Sequence, residues 1–218
     1  SQLHYKVKRE IYSSLKNHPN CTKCELERRL DGVYPDISLY INGTPVVIEV
    51  QKSVINIDLI MKRTLRYSKL GCYVLWVLPN GQPKQFQHLI RKKNEDGSLV
   101  EKEMIVSRPK QWEKYLHTLY FGRLYYWQNG AVVAPYHFEK VEQYVQESGC
   151  EWYNEYGEEQ SEYWGGHPKT LKAIKYFTRC EDIDIMTEFT KSQRNKWNTD
   201  NMSIPSCKLW IDNKKKWW

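Results

Sequence analysis

Two acidic residues, Asp36 and Glu49, lie inside short runs of residues that otherwise favour burial. Between the runs stands Asn42-Gly43, the strongest short-range signal of a two-residue hairpin, because both central residues of such a turn need positive φ. A turn there pairs Ile41 with Thr44. Continuing that register residue by residue places Asp36 directly opposite Glu49 on one face of the hairpin.

This pair of carboxylates needs a positive partner. Directly opposed side chains of a β-ladder have Cβ atoms roughly 4.5–5.5 Å apart, and like charges at that distance destabilise the pair and raise its pKa values. A hard divalent cation with oxygen ligands would neutralise both groups. The alternative is a salt-bridged pair, with Asp36 on Arg28 or Arg29 and Glu49 on a lysine.

The face that carries Glu49 also carries Gln51, whereas Lys52 points to the apolar face and would need a β-bulge to reach the acids. Two carboxylates and a third polar group on one strand face suit metal-assisted hydrolysis of a phosphodiester, in which a cation stabilises the developing charge and helps to deprotonate water. A glutamine contributes only a neutral hydrogen bond at its position.

Hydrophobic periodicity predicts the elements that position these residues. Apolar residues at helical spacing from Leu3 to Leu15 predict a first helix, and Val54 to Gly71 a second, with Gly71 just past its end. The continuous apolar run from Cys72 to Pro79 is typical of a strand buried on both faces. Helix, hairpin, helix and central strand together predict an α/β fold with a mixed sheet. Asn129-Gly130 predicts a second hairpin, which pairs Gln128 with Ala131.

The composition indicates the class of partner. The 218 residues include 33 Lys and Arg against 26 Asp and Glu, and 14% of them are aromatic, which suits a polyanionic partner. Neither an apolar run near ~18 residues nor a secretory leader is present, so we expect no membrane association. Six scattered cysteines are typical of reduced thiols, and we expect a cytoplasmic protein.

A change of charge divides the chain. Residues 139–162 hold eight Glu and one Lys, whereas residues 163–218 hold eleven Lys or Arg and six Asp or Glu. We therefore predict a core over residues 1–138 and an aromatic-rich extension over residues 139–218, acidic and then basic. For this extension we expect an α+β structure.

The motifs around the hairpin resemble the PD-(D/E)XK nuclease superfamily, through Pro35-Asp36 and Glu49-Val50-Gln51, with Gln in place of the usual Lys. Within that superfamily the chain is similar to CoiA-like competence nucleases, which carry a Gln at this place. The similarity continues through Arg63-Thr64, Tyr67 and Trp76, and covers roughly Leu3 to Phe138.

This resemblance implies a restriction-endonuclease-like core, a mixed sheet flanked by helices, that binds Mg²⁺ or substituting Mn²⁺ through Asp36, Glu49 and the Val50 carbonyl. Gln51 would orient the attacking water or the phosphate. Glu10 is the candidate for a further carboxylate from the first helix. The implied activity is cleavage of DNA, by an endonuclease in the simplest case. Gln51 keeps open an alternative, a non-catalytic nucleic-acid-binding protein with a degenerate nuclease fold.

Several basic and aromatic residues are candidates for nucleic-acid contacts. Arg63 and Tyr67 are i,i+4 neighbours that form either a phosphate clamp or a cation–π pair that fixes the helix. The other candidates are Lys52, Arg194 and Lys196.

Two expectations concern zinc and assembly. Cys21, Cys24 and His18 have the residue types of a zinc site, but a structural site needs four ligands, so free thiols are the alternative. CoiA-like proteins often carry a zinc-binding module ahead of the nuclease core, and we expect that module to be missing here. Cores of this superfamily often dimerise when both DNA strands are cut, so the resemblance leaves a homodimer open, although the sequence shows no interface signature.

Overall fold

A computed structural model describes residues 2–199 and 201–218 of the chain, which form three helices and sixteen strands. The helices are α1 (Gln2–Leu15), α2 (Ile57–Lys69) and α3 (Gln111–Leu119). The strands are β1 (Cys21–Leu26), β2 (Ile37–Ile41), β3 (Thr44–Val50), β4 (Tyr73–Val77), β5 (Gln85–Lys93), β6 (Leu99–Ser107), β7 (Leu124–Asn129), β8 (Val132–Val145), β9 (Ser148–Tyr153), β10 (Glu159–Trp164), β11 (His167–Arg179), β12 (Ile183–Asp184), β13 (Phe189–Arg194), β14 (Trp197–Thr199), β15 (Met202–Ile204) and β16 (Cys207–Asp212).

The chain divides into two compact units that alternate along the sequence. The first comprises Ser1–Pro83, Lys110–Phe138 and Thr178–Trp218, and the second comprises Lys84–Pro109 and Glu139–Phe177. One boundary follows Phe138 directly, while the last segment of the chain belongs to the first unit. The functional division into a core over residues 1–138 and an extension over residues 139–218 stays a prediction.

The first unit contains a six-stranded mixed sheet in the order β1-β2-β3-β4-β16-β13. Strand β4 runs parallel to both β3 and β16, and the other neighbouring pairs are antiparallel. Helix α2 connects the parallel strands β3 and β4, and β4 is buried as its apolar run predicts. The mixed α/β character is confirmed, although strands outnumber helices. The narrower expectation of a restriction-endonuclease-like core stays a prediction.

The hairpin of β2 and β3 has the predicted register. Ile41 lies opposite Thr44 and Ile37 opposite Ile48, with Asn42 and Gly43 in the turn at φ values of 46° and 77°. Both faces of the hairpin are buried, since Ser38 and Val47 on one face are as inaccessible as Ile37 and Ile48 on the other.

Trp76 of β4 fixes helix α2 over this sheet. Its indole N–H donates to Thr64 Oγ1 at 3.1 Å, and its main-chain N–H donates to the Tyr120 hydroxyl at 3.0 Å. The Asn56 side chain caps the helix by accepting from the Asp58 N–H at 2.8 Å. These contacts set the position of the next turn of α2, which carries Tyr67, above the strands.

The second hairpin, of β7 and β8, differs from its predicted register. Asn129 pairs with Val132 and Trp127 with Val133, so Gln128 is a bulged residue and its predicted pairing with Ala131 is wrong. The main-chain N–H of Trp127 donates to the Leu78 carbonyl at 2.8 Å. This contact with the segment after β4 holds β7 in place independently of the turn.

The described residues of 139–218 form strands without a helix, so the expected α+β structure of the extension is wrong. Tyr, Trp and Ile are frequent in these strands, and their β-preference exceeds the helical preference of the interspersed Glu residues.

In the second unit, β5 and β6 pair along their full length, and Ile90 and Val106 of these strands form a small core with Val141 of β8 and Ile174 of β11. None of the helices in the described ranges has both the length and the apolar character that crossing a bilayer requires.

Candidate active site

Asp36 and Glu49 lie together where β2 begins and β3 ends. Asp36 Oδ2 accepts a hydrogen bond from the Val50 N–H at 2.9 Å, and the Glu49 carboxylate accepts one from the Asp36 N–H. Each acid is therefore bound to the main chain of the other strand. The hairpin register and these reciprocal bonds bring the two acids together with the Val50 main chain.

Glu49 is almost completely buried, with 1% of its surface exposed. Arg63 Nη2 lies 2.6 Å from Glu49 Oε1, and the Tyr67 hydroxyl donates to the same oxygen. Burial raises the pKa of the Glu49 carboxyl to about 8, although Arg63 and Tyr67 oppose this effect. Even beside the Arg63 guanidinium, this carboxyl group is costly to ionise, and a further cation would lower that cost.

Arg63 has contacts beyond Glu49. Its Nη2 donates to the Tyr34 carbonyl at 2.9 Å and lies 3.2 Å from the Tyr67 hydroxyl, and the guanidinium is 5.9 Å from the Trp76 ring. Arg63 and Tyr67, two of the residues that carry the family resemblance, therefore meet at the Glu49 carboxylate. Burial and the nearby Glu49 charge both raise the pKa of Tyr67, which keeps its hydroxyl a donor.

Asp36 has two basic neighbours from α1 that the sequence analysis missed. His4 Nε2 lies 3.1 Å from Asp36 Oδ2, and Lys8 Nζ lies 3.7 Å from Oδ1 and also contacts Glu27. Lys8 is only 4% exposed. The sequence contained a signal for these two neighbours. His4 and Lys8 are one helical turn apart, and the buried Ile11 continues the same stripe, so the spacing predicts that all three side chains face the sheet.

The alternative from the sequence, in which each carboxylate forms a salt bridge, therefore describes the contacts of both acids. The partners differ from those expected. Asp36 contacts His4 and Lys8, and Glu49 contacts Arg63, which is not a lysine. Arg28, one of the expected partners of Asp36, contacts Glu25 at 3.3 Å.

Glu10 lies apart from the two acids in the contacts of the described residues. Its Oε1 is 3.8 Å from Lys6 Nζ on the same helix, while its other carboxylate oxygen is buried without a hydrogen-bond partner there. Two residues of helix separate Glu10 from Lys8, so the two side chains project in different directions.

Gln51 and Lys52 border the acids because β3 ends at Val50. The Gln51 side-chain amide donates to the Ser53 carbonyl at 2.7 Å. With His4 and Val50, these three residues line a pocket of about 500 Å³. Since the strand has ended, Lys52 lies beside the site without the bulge that the sequence analysis required.

Arg194 and Lys196 lie at the other end of the chain, on and just after β13. The Arg194 guanidinium is 4.1 Å from the Phe121 ring centroid and 5.7 Å from that of Trp197, and Lys196 is exposed. Among the described residues, no contact joins either cation to Asp36 or Glu49.

The oxygen donors at the two acids suit a hard cation. Two carboxylates and the Val50 carbonyl are ligands of the kind that Mg²⁺ prefers. In the described part of the chain, no group of three or more His, Cys, Asp and Glu side chains has the arrangement of a metal site, and this includes His18, Cys21 and Cys24. Arg63 already contacts Glu49, and Lys8 already contacts Asp36. A bound cation would either share the two carboxylates with these side chains or displace them.

Comparison with known proteins identifies a family for this chain. The family model described as the nuclease-like domain of the competence protein CoiA matches residues 1–121, more than half of the chain. The matched range contains the hairpin, α2, β4 and α3. No curated protein and no solved structure matches the chain significantly.

Proposed function

The chain belongs to the family of CoiA nuclease-like domains, and on this basis we propose that it is a metal-dependent nuclease that hydrolyses phosphodiester bonds of DNA. The observation that carries the proposal is the junction of Asp36 with Val50, which brings two carboxylates and a main-chain carbonyl to one place.

Asp36, Glu49 and the Val50 carbonyl would hold Mg²⁺, or Mn²⁺ in its place. The cation would supply charge stabilisation at the scissile phosphate and a more acidic water. Gln51 orients that water or a phosphate oxygen through its amide. Arg63, when it is no longer needed as the counter-ion of Glu49, binds a phosphate with its two-pronged guanidinium.

Basic residues outside the acidic pair supply further contacts in this proposal. Lys52, on the rim of the 500 Å³ pocket, neutralises the backbone of the strand. Tyr67 keeps Arg63 in place, and Arg194 and Lys196 bind nucleic acid away from the acids. Glu10 is a candidate for the further carboxylate of the site only if its side chain turns away from Lys6.

A second candidate function has an observation in its favour. Glu49 is buried and already accepts from Arg63, Tyr67 and the Asp36 N–H, as in a purely structural ion pair. With Gln51 in place of the usual Lys, the same arrangement suits a non-catalytic nucleic-acid-binding protein.

A cleavage assay separates the two candidates. Plasmid, linear and single-stranded DNA are incubated with the chain in Mg²⁺, Mn²⁺ or EDTA, alongside Asp36→Asn, Glu49→Gln and the exposed control Glu25→Gln. A nuclease cuts only with metal, loses cleavage in the first two variants and keeps it in the control. Salt-dependent DNA binding without cleavage in any metal would establish the second candidate instead.

A further inference from the structure

A second cavity lies on the sheet face that carries Asp36 and Glu49. It encloses about 290 Å³, and we call it the cationic pocket. Its floor includes Ser38 and Val47, which are paired across the hairpin and are the next pair along that face after the two acids. Its walls are residues 28–31 and Leu70 with Cys72 at the end of α2.

The Ser38 hydroxyl in this floor lacks a hydrogen-bond partner in the part of the chain that the structure describes. Ser38 is 5% exposed, and its Oγ is buried without a hydrogen-bond partner among the described residues. An unpaired buried hydroxyl is unfavourable, and such groups in native proteins usually serve a ligand or a bound water. The hydroxyl is closed to solvent in this structure, so a polar group in the pocket would exchange a hydrogen bond with it only after the floor shifts slightly.

The rim of the cationic pocket carries an excess of positive charge. Lys23, Arg28 and Arg29 line it, and Asp31 is its only acid in the described lining. The Asp31 carboxylate is already bound by Arg66, and Arg28 has only an exposed contact with Glu25, which is weak in water. The free charge of the rim therefore suits a phosphate.

The shape of the pocket indicates what accompanies the phosphate. Val47 and Pro45 give the floor an apolar surface beside Ser38, and next to them Lys23 Nζ lies over the Tyr40 ring, 5.5 Å from its centroid. The volume is at the low end of the range of about 300–1,000 Å³ for small-molecule sites. This combination fits the face and one polar edge of a single base, and it excludes a base pair.

One wall of the pocket is held in place by the residues of the candidate active site. Arg66 donates to the Asp31 carbonyl at 2.7 Å, and Arg63, the partner of Glu49, donates to the Tyr34 carbonyl at 2.9 Å. Both bonds attach the 31–34 segment to α2. The pocket and the acids therefore share one rigid support.

From these observations we infer that the cationic pocket binds one unpaired nucleotide of the substrate strand, next to the phosphate that Asp36 and Glu49 address. The inference rests on the proposed nuclease function and specifies a substrate with a single-stranded segment at the site.

The test measures binding of deoxyadenosine 5′-monophosphate to the full chain in EDTA by calorimetry, with inorganic phosphate as a second probe. We expect saturable binding of the nucleotide that is tighter than that of phosphate. Arg29→Ala should weaken it about tenfold, as the loss of a charge-assisted hydrogen bond does. Ser38→Ala should weaken it severalfold with an unchanged or higher melting temperature. Arg9→Ala, an exposed arginine outside the pocket, should change it less than twofold.

Equal binding of phosphate and nucleotide, or unchanged nucleotide binding in both Arg29→Ala and Ser38→Ala, would overturn the inference. Cleavage of DNA by the parent chain is measured in parallel with Mg²⁺. Cleavage without pocket binding would refute the cationic pocket alone, whereas pocket binding without cleavage in any metal would support the pocket and refute the nuclease function.

Discussion

The side chain of Asp36 accepts a hydrogen bond from the main-chain N–H of Val50, with 2.9 Å between Oδ2 and N. Val50 directly follows Glu49, so this one bond ties the residue before β2 to the end of β3 and fixes the spacing of both acids. The carboxylate therefore has a structural role as well as the proposed role in binding a cation, and the two roles respond differently to substitution.

Asp36→Asn should separate these two roles. The amide oxygen can still accept from the Val50 N–H, so the free energy of unfolding should stay near that of the parent, while cleavage falls by at least about 100-fold because a charged ligand is lost. Asp36→Ala also leaves the N–H unpaired and should lower the free energy of unfolding by about 1–3 kcal/mol. Urea denaturation and a plasmid cleavage assay measure both effects. Full activity of Asp36→Asn would exclude the residue from catalysis.

Burial of Glu49 predicts a pH-dependent stability. Its pKa rises from the ordinary 4.5 to about 8 in the folded chain, so between these values the folded state holds a proton that the unfolded state has lost. The free energy of unfolding should therefore fall as the pH rises through this window, by up to about 1.4 kcal/mol per pH unit.

Glu49→Gln should remove this part of the pH dependence, because the amide accepts from Arg63 and Tyr67 without titrating. Urea denaturation of both proteins in EDTA from pH 5 to pH 8 gives the difference in slope. Equal slopes in parent and variant would mean that Glu49 titrates near its ordinary value.

Lys8 should compete with a metal for Asp36. Its Nζ lies 3.7 Å from Asp36 Oδ1, and the residue is buried, so Lys8→Met removes a competing charge while keeping most of the packing. The Mn²⁺ concentration that half-saturates cleavage should fall by roughly threefold to tenfold. Arg9→Met, which removes an exposed cation of the same helix that donates to the Tyr5 hydroxyl, is the matched control and should change nothing. An unchanged or higher Mn²⁺ requirement in Lys8→Met would show that the lysine does not oppose the metal.

Thr64 should act through the position of α2. Its hydroxyl accepts from the buried Trp76 indole N–H at 3.1 Å, and Thr64→Val leaves that N–H unpaired at a cost of about 1–3 kcal/mol. Cleavage should fall, because Arg63 and Tyr67 lose their fixed position, but its metal requirement should not change. Thr64→Ser keeps the acceptor and should retain most of the stability and activity. A loss in Thr64→Ser without a loss in Thr64→Val would contradict this and place the role of Thr64 in its methyl group.

The central part of the fold was predictable because its signals are local. Asn42-Gly43 sets the register of β2 and β3 by turn chemistry alone, and the apolar run around Trp76 predicts a buried strand. Gln128 shows the limit of such signals, because its bulge depends on the hydrogen bond between Trp127 and Leu78, residues far apart in sequence. Strands β13 and β16 complete the sheet from the other end of the chain, and no local pattern reports such a pairing.

The site was predictable to the same degree. The hairpin register placed Asp36 beside Glu49, but the partners of these acids depend on how the helices pack. Lys8 and not Glu10 faces Asp36, because the inward stripe of α1 runs through His4, Lys8 and Ile11. Sequence spacing contained this stripe, but the prediction chose Glu10 because it lies on the same side of the helix as Leu3 and Val7.

The central claim is that Asp36, Glu49 and the Val50 carbonyl hold one divalent cation. The most direct measurement is a Mn²⁺ titration of the full chain followed by calorimetry and by the paramagnetic broadening of the Val50 amide signal. The account predicts one saturable site that broadens Val50 first and is lost in both Asp36→Asn and Glu49→Gln. Binding that persists in both variants, or a Val50 signal that Mn²⁺ leaves sharp, would contradict it.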